Sequence, residues 1–368
     1  MGAEVNTAVE SAATGHPARR TGVAVVGLGM AAKPHALALK DLAAIVDMRA
    51  VYSRNPVERE RFAAAYGFPA AGSVEEIAAD PGVAIVMLLT PPNARADLVR
   101  LFAGAGKHIL MEKPVERTTV VAERIVTDCE AAGVSLGIVL QQRFREEVIA
   151  ARQLLAGGRP GRLAAIRVAV PWWREQSYYD VPGRGSFARD GGGVLISQAI
   201  HTLDLMLLLA GPVADVQAIA GTSILHRMES EDFVAAGLRF ANGAWGSLVA
   251  TTAAFPGEPE SIVLDCEHAS LRLDVGTLTV RWRGGRTETE GGPAASGGGA
   301  DPMAFSHRWQ RALISDFVSS VRDGRPPAVT ARQALPAHRL IDALLRSAAL
   351  KQAVAVAQEH KADVHHAA

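Results

Sequence analysis

The sequence predicts an α/β protein in which a doubly wound parallel sheet is followed by an α+β domain with an open, mostly antiparallel sheet. Three observations predict this architecture. Strands alternate with helices up to about residue 145, long successive strands follow, and a glycine-rich turn comes directly after the first strand. The 368 residues are enough chain for about two domains at roughly 150 residues each.

The predicted N-terminal domain spans residues 21–145 and contains five short strands that are apolar on both faces. Parallel strands covered by helices on both sides have this composition. Stretches with helical spacing lie between them, among them Val57–Tyr66 and Thr118–Ala132. The five predicted strands are Val23–Val26, Ala50–Ser53, Ala84–Leu89, Lys107–Met111 and Val134–Leu140.

The predicted C-terminal domain spans residues 146–356 and begins with a helix over Glu146–Ala156. Asn242-Gly243, between two of its strands, is typical of a hairpin turn. Gly291–Ala300 is predicted to be a flexible loop without a chemical role. Helices over Ser306–Asp323 and Ala331–Ala355 close the domain. Its predicted strands are Leu163–Val170, Val213–Gly221, Asp232–Phe240, Trp245–Thr252, Ser261–Asp265, Ala269–Val275 and Thr277–Arg283.

Charge and composition exclude several classes of function. Lysine plus arginine and aspartate plus glutamate number 38 each, so the formal net charge is zero. We therefore expect no nucleic-acid or anionic-membrane partner. No apolar run approaches the ~20 residues that a membrane-spanning helix needs. Two cysteines, Cys129 and Cys266, are too few for a disulfide framework or a four-thiolate zinc site. We expect a cytoplasmic protein without a metal site, with a disordered tail at residues 1–20 and a solvated tail at residues 357–368.

The glycine-rich turn, at Gly27–Ala32, separates the first strand from a helix. Gly27 permits the tight turn, Gly29 lets a pyrophosphate approach the backbone amides, and the small third residue lets the helix pack on the strand. The helix N-terminus offers unpaired N–H groups to the phosphates. The pattern predicts a dinucleotide site that includes Gly27, Gly29, Met30 and Ala31. The alternative is a glycine-rich turn that binds nothing.

The end of the second strand indicates which dinucleotide binds. An Asp or Glu there would hold the 2′-hydroxyl of the adenosine ribose, but the strand ends in Ser53-Arg54. A hydroxyl and a guanidinium suit a 2′-phosphate, which favours NADP(H) over NAD(H). The alternative is that Arg54 is an ordinary surface arginine. Residues after the other strands complete the predicted cofactor contacts, namely Thr90, Pro91, Asn93, Glu112, Lys113 and Gln141.

Lys113 follows the strand Lys107–Met111 within the run Glu112-Lys113-Pro114. Ligands of open α/β sheets bind at the carboxyl ends of the strands, so Lys113 is expected to point into the cleft. An amine there can donate a proton to a forming alkoxide or withdraw one from a hydroxyl. The alternative is an exposed loop lysine.

A second candidate element is the run Gly191–Asp204, where three glycines precede a helix. Ser197, His201 and Asp204 are spaced i, i+4 and i+7 and are predicted to share one face. Histidine can act as an acid or base near neutral pH, and Asp204 can set its tautomer or bind substrate. Gln198 is a further candidate to bind substrate. The alternative is a helix-capping network around a structural histidine.

An aromatic run ends the first strand of the second domain. Flat apolar rings with a polar edge suit the C–H faces of a pyranose ring. Arg174 or Arg184 can hold a carboxylate or phosphate of the substrate. The alternatives are an aromatic cluster over a sheet edge and a subunit interface. The predicted substrate residues here are Trp172, Trp173, Arg174, Tyr178, Tyr179 and Arg184.

Four motifs in register make the chain resemble the glucose-fructose oxidoreductase, inositol dehydrogenase and MocA family. The closing segment WQRALISDFVSSVRDGRPPAV is also similar to that family, and the resemblance extends over about Gly22–Val354. The motifs are GLGMAA at Gly27–Ala32, LLTPPN at Leu88–Asn93, GKHILMEKP at Gly106–Pro114 and the GGG…H..D element at Gly191–Asp204.

The resemblance implies an N-terminal Rossmann domain and a homodimer or homotetramer formed through the C-terminal sheet. It implies reversible oxidation of a secondary alcohol on a sugar, polyol or cyclic diol with NADP or NAD, in the cleft between the domains. By this likeness, Lys113 and His201 share proton transfer and binding of the substrate hydroxyl. Ser197, Ala199 and Arg95 depart from the family, which often has Asp or Asn, Gly, and His there.

Two other functions are compatible with the same sequence, because a fold does not determine a function. One is a nucleotide-bound sensor that has lost turnover. The other is a glycoside hydrolase that keeps NAD bound and oxidises the sugar only transiently. The sensor predicts binding without product, and the hydrolase predicts release of an aglycone without net cofactor reduction.

Overall fold

Five parallel strands form the N-terminal sheet, in the order β2-β1-β3-β4-β5. The computed structural model describes residues 20–295, 297–299 and 305–358. The strands are β1 Thr21–Val26, β2 Val46–Tyr52, β3 Ile85–Leu88, β4 His108–Glu112 and β5 Leu136–Val139. The helices between and after them are α1 Ala32–Asp41, α2 Pro56–Tyr66, α3 Val74–Ala79, α4 Arg95–Gly104 and α5 Thr119–Ala131. The predicted doubly wound sheet is confirmed, and its strand order reverses between β1 and β3, where ligands of such sheets bind.

Local side chains set where α2 begins and ends. The Asn55 side chain accepts hydrogen bonds from the backbone N–H groups of Val57, at 3.0 Å, and Glu58, at 3.3 Å. Pro56 occupies the first helical position, and Gly67 ends the helix with a φ of +71°. These are the residue types that helix ends prefer. Asn55 also lines the cavity that contains the turn after β1.

A nine-stranded sheet follows, in the order β13-β12-β11-β10-β6-β9-β8-β7-β14. Its neighbouring strands are antiparallel except for one parallel pair, β6 with β9, which confirms the predicted mostly antiparallel sheet. The strands are β6 Leu163–Pro171, β7 Val213–Gly221, β8 Phe233–Phe240, β9 Trp245–Thr251, β10 Ser261–Cys266, β11 Ala269–Asp274, β12 Thr277–Trp282, β13 Thr287–Gly291 and β14 Val354–Ala355. The helices are α6 Glu146–Ala156, α7 Gln176–Tyr179, α8 Ile200–Ala210, α9 Arg308–Asp323 and α10 Leu335–Leu350.

The hairpin predicted at Asn242-Gly243 joins β8 to β9. Two strands were not predicted. Strand β13, of sequence TETEG, is mostly exposed and has no apolar alternation to reveal it. The helix predicted over Ala331–Ala355 ends at Leu350, because Lys351 takes a φ of +56°. The chain then adds β14 to the edge of the sheet beside β7.

Helix α9 packs on the first sheet, although the sequence placed it in the second domain. Leu313 and Phe317 belong to the same hydrophobic core as β1, β3, β4 and β5. A Cβ atom on Gly137 of β5 would lie 2.7 Å from the ring of Phe317, so the absence of a side chain there makes room for the ring. The second core is formed mainly by the nine-stranded sheet with α6, α8 and α10.

The predicted tails at residues 1–20 and 357–368 lie outside the described residues, apart from Arg20, Ala357 and Gln358. None of the described helices has the length and hydropathy needed to cross a bilayer. Within the described ranges, no three His, Cys, Asp or Glu side chains are grouped to hold a metal ion.

Candidate functional site

A cavity of about 970 Å³ reaches from the turn after β1 to the start of α8. The residues predicted for the cofactor lie on its wall, namely Gly27, Gly29, Met30, Ala31, Ser53, Arg54, Thr90, Pro91, Asn93, Glu112, Lys113 and Gln141. Most residues predicted for catalysis and substrate also line it, namely His201, Gln198, Trp172, Arg174, Tyr178 and Arg184. One cavity therefore joins the nucleotide turn to the candidate catalytic side chains.

The turn after β1 has the shape that a pyrophosphate requires. Gly27 has a φ of +98°, and a Cβ atom on it would lie 2.7 Å from the backbone nitrogen of Thr90. A Cβ atom on Gly29 would meet nothing within 4 Å. Helix α1 begins at Ala32 without a side-chain cap. The open backbone at Gly29 and the uncapped helix N-terminus fit a dinucleotide phosphate.

The adenosine end of the cavity is marked by Ser53 and Arg54. Arg54 is exposed and makes no hydrogen bond or ion pair with any residue that the structure describes. Ser53 Oγ accepts a hydrogen bond from the backbone N–H of Asn55 at 3.4 Å. Glu58 lines the same end, although the sequence offered no acidic residue at the strand end itself. It comes from the first turn of α2, four residues beyond Arg54.

Lys113 lies at the carboxyl end of β4, as its position after the predicted strand implied. Its Nζ donates a hydrogen bond to the backbone carbonyl of Ser197 at 2.6 Å. Burial lowers the pKa of Lys113, and the neighbouring Glu112 carboxylate opposes part of that effect. A partly buried amine with a lowered pKa is suited to exchange a proton with a hydroxyl group.

Two residues outside the predicted set hold the turn that carries Lys113. His35 of α1 donates from Nε2 to Glu112 Oε1 at 2.8 Å. Burial alone would raise the pKa of Glu112, but the hydrogen bond from His35 and the nearby positive charges lower it to about 2. Arg95 donates to the backbone carbonyls of Thr90, Glu112 and Pro114. The sequence singled out Arg95 only as a departure from the family's usual histidine.

His201 lines the cavity from the first turn of α8. Burial, reinforced by the charge of Lys113, lowers its pKa to about 3, so the ring is neutral near pH 7. The ring makes no hydrogen bond to the described residues. A neutral imidazole can donate one hydrogen bond and accept another. His201 is therefore available to a substrate hydroxyl.

A π-helical turn over Leu195–Ala199 precedes α8, which changes the predicted helical face. Ser197 and His201 line the cavity, and Ser197 contributes its backbone carbonyl to Lys113. Asp204 does not line the cavity and forms no hydrogen bond with His201 among the described residues, so the structure does not bring it to the other candidate residues. Both carboxylate oxygens of Asp204 instead accept hydrogen bonds from Arg143, at 2.6 and 2.7 Å. Buried charges require such partners, and the nearest guanidinium satisfies this one.

Glu231 holds the glycine run that leads into the π-helical turn. Its carboxylate accepts hydrogen bonds from the backbone N–H groups of Gly193, at 3.2 Å, and Leu195, at 3.1 Å. A Cβ atom on Gly193 would lie 1.8 Å from the Glu231 carbonyl oxygen. The glycine therefore permits a close backbone approach. Glu231 was not predicted from the sequence, because 38 residues separate it from Gly193, which it contacts.

Two of the predicted aromatic residues, Trp173 and Tyr179, do not line the cavity, so the structure does not bring them to the other candidate substrate residues. Trp173 donates from Nε1 to Glu175, and Tyr179 is buried with its hydroxyl 2.6 Å from Thr252 Oγ1. Successive side chains at the end of β6 point to opposite faces, so Trp172 lines the cavity and Trp173 does not.

Part of the glycine-rich segment Gly291–Ala300 forms cavity wall, although this segment was predicted to be a loop without a chemical role. Gly297 lines the cavity. The guanidinium of Arg174 donates to the carbonyl oxygens of Gly297, at 2.6 Å, and Gly299, at 2.7 Å. The backbone of these glycines therefore packs directly against the buried Arg174.

Two family models match the chain, one in each half. The oxidoreductase family with an NAD-binding Rossmann fold matches residues 21–139, and the GFO/IDH/MocA C-terminal domain matches residues 148–272. The chain belongs to the GFO/IDH/MocA oxidoreductase family. It is therefore an NAD-binding oxidoreductase of the sugar and polyol dehydrogenase type.

Three GFO/IDH/MocA relatives illustrate the likeness in sequence. The levoglucosan dehydrogenase of Pseudarthrobacter phenanthrenivorans is 25% identical over 91% of this chain and 98% of that protein. The myo-inositol 2-dehydrogenase of Thermotoga maritima is 25% identical over 84% and 90% of the two chains. The 1-carboxy-3-chloro-3,4-dihydroxycyclohexa-1,5-diene dehydrogenase of Comamonas testosteroni is 32% identical, but the match covers 54% of this chain and half of that protein.

Solved structures of other dehydrogenases have the same fold. The WlbA dehydrogenase of Bordetella pertussis, in complex with NADH and UDP-GlcNAcA, superposes with a TM-score of 0.80 and 27% identity, covering 93% of this chain and all of that one. Levoglucosan dehydrogenase in complex with NADH and levoglucosan gives a TM-score of 0.81 at 21% identity, over 92% and 100% of the two chains. The second likeness shows the fold alone.

Proposed function

We propose that this protein reversibly oxidises a secondary alcohol of a sugar, polyol or cyclic diol, with Lys113 as the proton acceptor. The observation that carries the proposal is a single cavity lined by the dinucleotide turn, Lys113 and His201. The dinucleotide, held by the turn after β1, supplies the hydride acceptor. The enzymes named for levoglucosan and myo-inositol support a ring-shaped polyhydroxylated substrate.

Lys113 accepts the proton of the reacting hydroxyl. As the C–H bond breaks, the O–H bond also breaks and its proton passes to the neutral amine of Lys113. The carbon–oxygen bond becomes a carbonyl, and Lys113 becomes an ammonium that releases its proton to solvent. Burial lowers the pKa of Lys113 and so increases the fraction of the amine form at neutral pH.

His201 positions the hydroxyl without carrying charge. Its pKa of about 3, lowered mainly by burial, keeps the ring neutral while Lys113 changes its protonation state. A neutral ring donates a hydrogen bond to the substrate oxygen in the alcohol and in the ketone. We therefore assign proton exchange to Lys113 and orientation of the substrate to His201.

The decisive experiment is titration of the purified protein with NADPH and NADH, followed by a substrate screen that monitors nicotinamide absorbance. The panel contains myo-inositol, levoglucosan, aldoses, keto-sugars and a nucleotide-linked uronic acid. Absorbance change on one class of ring substrate is the expected result. Aglycone release from a glycoside without net reduction would contradict the proposal and favour the hydrolase. Dinucleotide binding without any product would favour the sensor.

We further propose that NADP(H) is preferred, because Arg54 lies exposed at the adenosine end and makes no hydrogen bond or ion pair with the other described residues. Arg54→Asp is expected to shift the ratio of kcat/KM values from NADP towards NAD by about tenfold or more, the size of one lost charge-assisted hydrogen bond. Arg61→Asp, which changes an exposed arginine of α2 outside the cavity, is the matched control. An unchanged ratio in the Arg54 variant would refute the preference.

The outer face of the second sheet is proposed to join two copies of the chain. Ile219 and Val249 flank Ala235 in register on this face, and Trp245 is 66% exposed. Contiguous exposed apolar side chains mark interfaces. Light scattering should show a dimer or tetramer that Trp245→Glu converts to monomer. The control is Val120→Glu, which changes an exposed residue of α5 and should leave the assembly intact. A monomeric wild type would contradict the proposal.

A further inference from the structure

The substrate end of the cavity carries a guanidinium with no acidic partner. Arg184 lies in the loop after α7, with its guanidinium carbon 4.3 Å from the centroid of the Tyr178 ring. Both residues line the cavity. Among the residues that the structure describes, the Arg184 side chain has no hydrogen bond and no ion pair.

The acidic residues of the same loop are engaged elsewhere. Asp180 accepts a hydrogen bond from a neighbouring side-chain amide at 2.8 Å. One oxygen of Asp190 accepts from the backbone N–H of Gly185 at 2.9 Å, and the other lies 3.7 Å from Arg189 Nε. Asp190 also lines the cavity, but neither an ion pair nor a hydrogen bond joins it to Arg184, whose guanidinium borders the cavity without a paired carboxylate among the described residues.

Arg174 is the other arginine that was predicted to bind an anion. Its guanidinium forms hydrogen bonds with backbone carbonyls. Its guanidinium donates to the carbonyls of Trp173 and Gly299, both at 2.7 Å, and of Gly297 at 2.6 Å. It also lies 5.6 Å from the centroid of the Tyr178 ring. Two like charges near one ring repel each other, and an anion in the cavity beside them would reduce that repulsion.

A buried acceptor beside the ring indicates what else the ligand carries. The Gln198 amide donates from Nε2 to the Tyr178 hydroxyl at 3.4 Å. Its Oε1 is buried and accepts no hydrogen bond from the described residues. Buried polar atoms normally have partners, and a ligand hydroxyl at the cavity wall supplies the missing donor.

We propose that Arg184 and Tyr178 form an anion subsite, and that the substrate is a polyhydroxylated ring bearing an acidic group, a carboxylate or a phosphate. The guanidinium pairs with the acidic group, the Tyr178 ring supports the guanidinium, and Gln198 accepts from a ring hydroxyl. The proposal rests on the proposed function, because that function places a sugar or polyol in this part of the cavity.

The test compares acidic and neutral members of matched sugar series. Glucose, glucuronate and glucose 6-phosphate, with the corresponding galactose series, are titrated calorimetrically into the full-length protein saturated with NADP⁺. The same compounds are assayed for dinucleotide reduction. Wild type, Arg184→Gln, Arg184→Lys and the control Arg227→Gln are compared. Arg227 is a nearby exposed arginine that does not line the cavity.

The acidic member of at least one series is expected to bind about tenfold or more tightly than its neutral counterpart, as one charge-assisted hydrogen bond implies. Arg184→Gln should bring this ratio close to one, Arg184→Lys should restore part of it, and Arg227→Gln should keep it. The larger of the two acidic ratios identifies carboxylate or phosphate as the group bound.

Equal binding of neutral and acidic sugars by wild type would overturn the proposal. So would a ratio that Arg184→Gln does not change, or the absence of any acidic-sugar binding. Failure of the proposed function has a different signature. Acid-dependent binding that requires Arg184, without dinucleotide reduction by any sugar, would contradict the dehydrogenase and support the anion subsite.

Discussion

Replacing Lys113 with methionine should reduce kcat by about 10²–10⁴-fold, the usual contribution of a positioned acid or base, while the dinucleotide still binds. Methionine keeps much of the volume of the partly buried side chain but removes the amine that donates to the Ser197 carbonyl. No other amine lines the cavity among the described residues. Stopped-flow or steady-state kinetics on a substrate from the panel gives kcat, and fluorescence titration gives dinucleotide affinity.

The pH dependence of wild type tests the same role. Alcohol oxidation requires the amine form of Lys113, so its kcat/KM should rise with pH and level off above the pKa of that residue. Burial lowers this pKa, which places the midpoint below the usual lysine range. Ketone reduction requires the ammonium form and should fall through the same midpoint. The Lys113→Met variant should lack this transition in both directions.

The matched control is Lys40→Met, which removes an exposed lysine from the last turn of α1, outside the cavity. It should retain wild-type kcat and the wild-type pH profile. A Lys113→Met variant that turns over at the wild-type rate would eliminate Lys113 as the proton acceptor. Loss of dinucleotide binding together with kcat would instead show that Lys113 acts on the cofactor.

The second large effect is expected on stability. Asp204→Asn should lower the free energy of unfolding by about 3 kcal/mol, near the lower end for breaking a buried ion pair, because asparagine keeps one acceptor. The Arg143–Asp204 pair is bidentate, and the Asp204 side chain is only 3% exposed. The substitution leaves the largely covered guanidinium of Arg143 without its counter-charge. Urea unfolding followed by tryptophan fluorescence measures the change.

An exposed pair of the same geometry provides the control. Arg272 donates to both oxygens of Asp274 at 2.8 Å, with the two side chains 50% and 38% exposed. Asp274→Asn should cost about 1 kcal/mol or less, because water screens and replaces the pair. Equal decreases in the free energy of unfolding for the two variants would show that burial of the Asp204 pair adds nothing to its contribution to stability. Arg143 also donates a hydrogen bond to Gln333, so loss of its Asp204 partner should also weaken the packing of the segment before α10.

Patterns local in sequence predicted the fold and the strand ends at which the glycine turn and Lys113 line the cavity. Gly27 and Gly29 follow a strand directly, and Lys113 follows another. The strand before each of these residues places it at the carboxyl edge of the parallel sheet. Apolar runs likewise predicted both sheets. The elements missed, β13 and β14, carry no apolar alternation and are too short or too polar for that signal.

What the tertiary structure decided is which distant side chains meet. Lys113 contacts a carbonyl 84 residues away, and Asp204 pairs with Arg143, 61 residues before it. The regular helical spacing of Ser197, His201 and Asp204 did not reveal the π-helical turn, which depends on Glu231 from another segment.

By itself, then, the sequence determined two domains, a dinucleotide turn and a lysine at a strand end, because backbone periodicity and glycine geometry are local properties. Only the tertiary structure separated Arg174 from Arg184 and His201 from Asp204. Each of these assignments depends on which polar partner packing brings within hydrogen-bond distance. Packing between remote segments depends on the whole chain, so no local pattern encodes it.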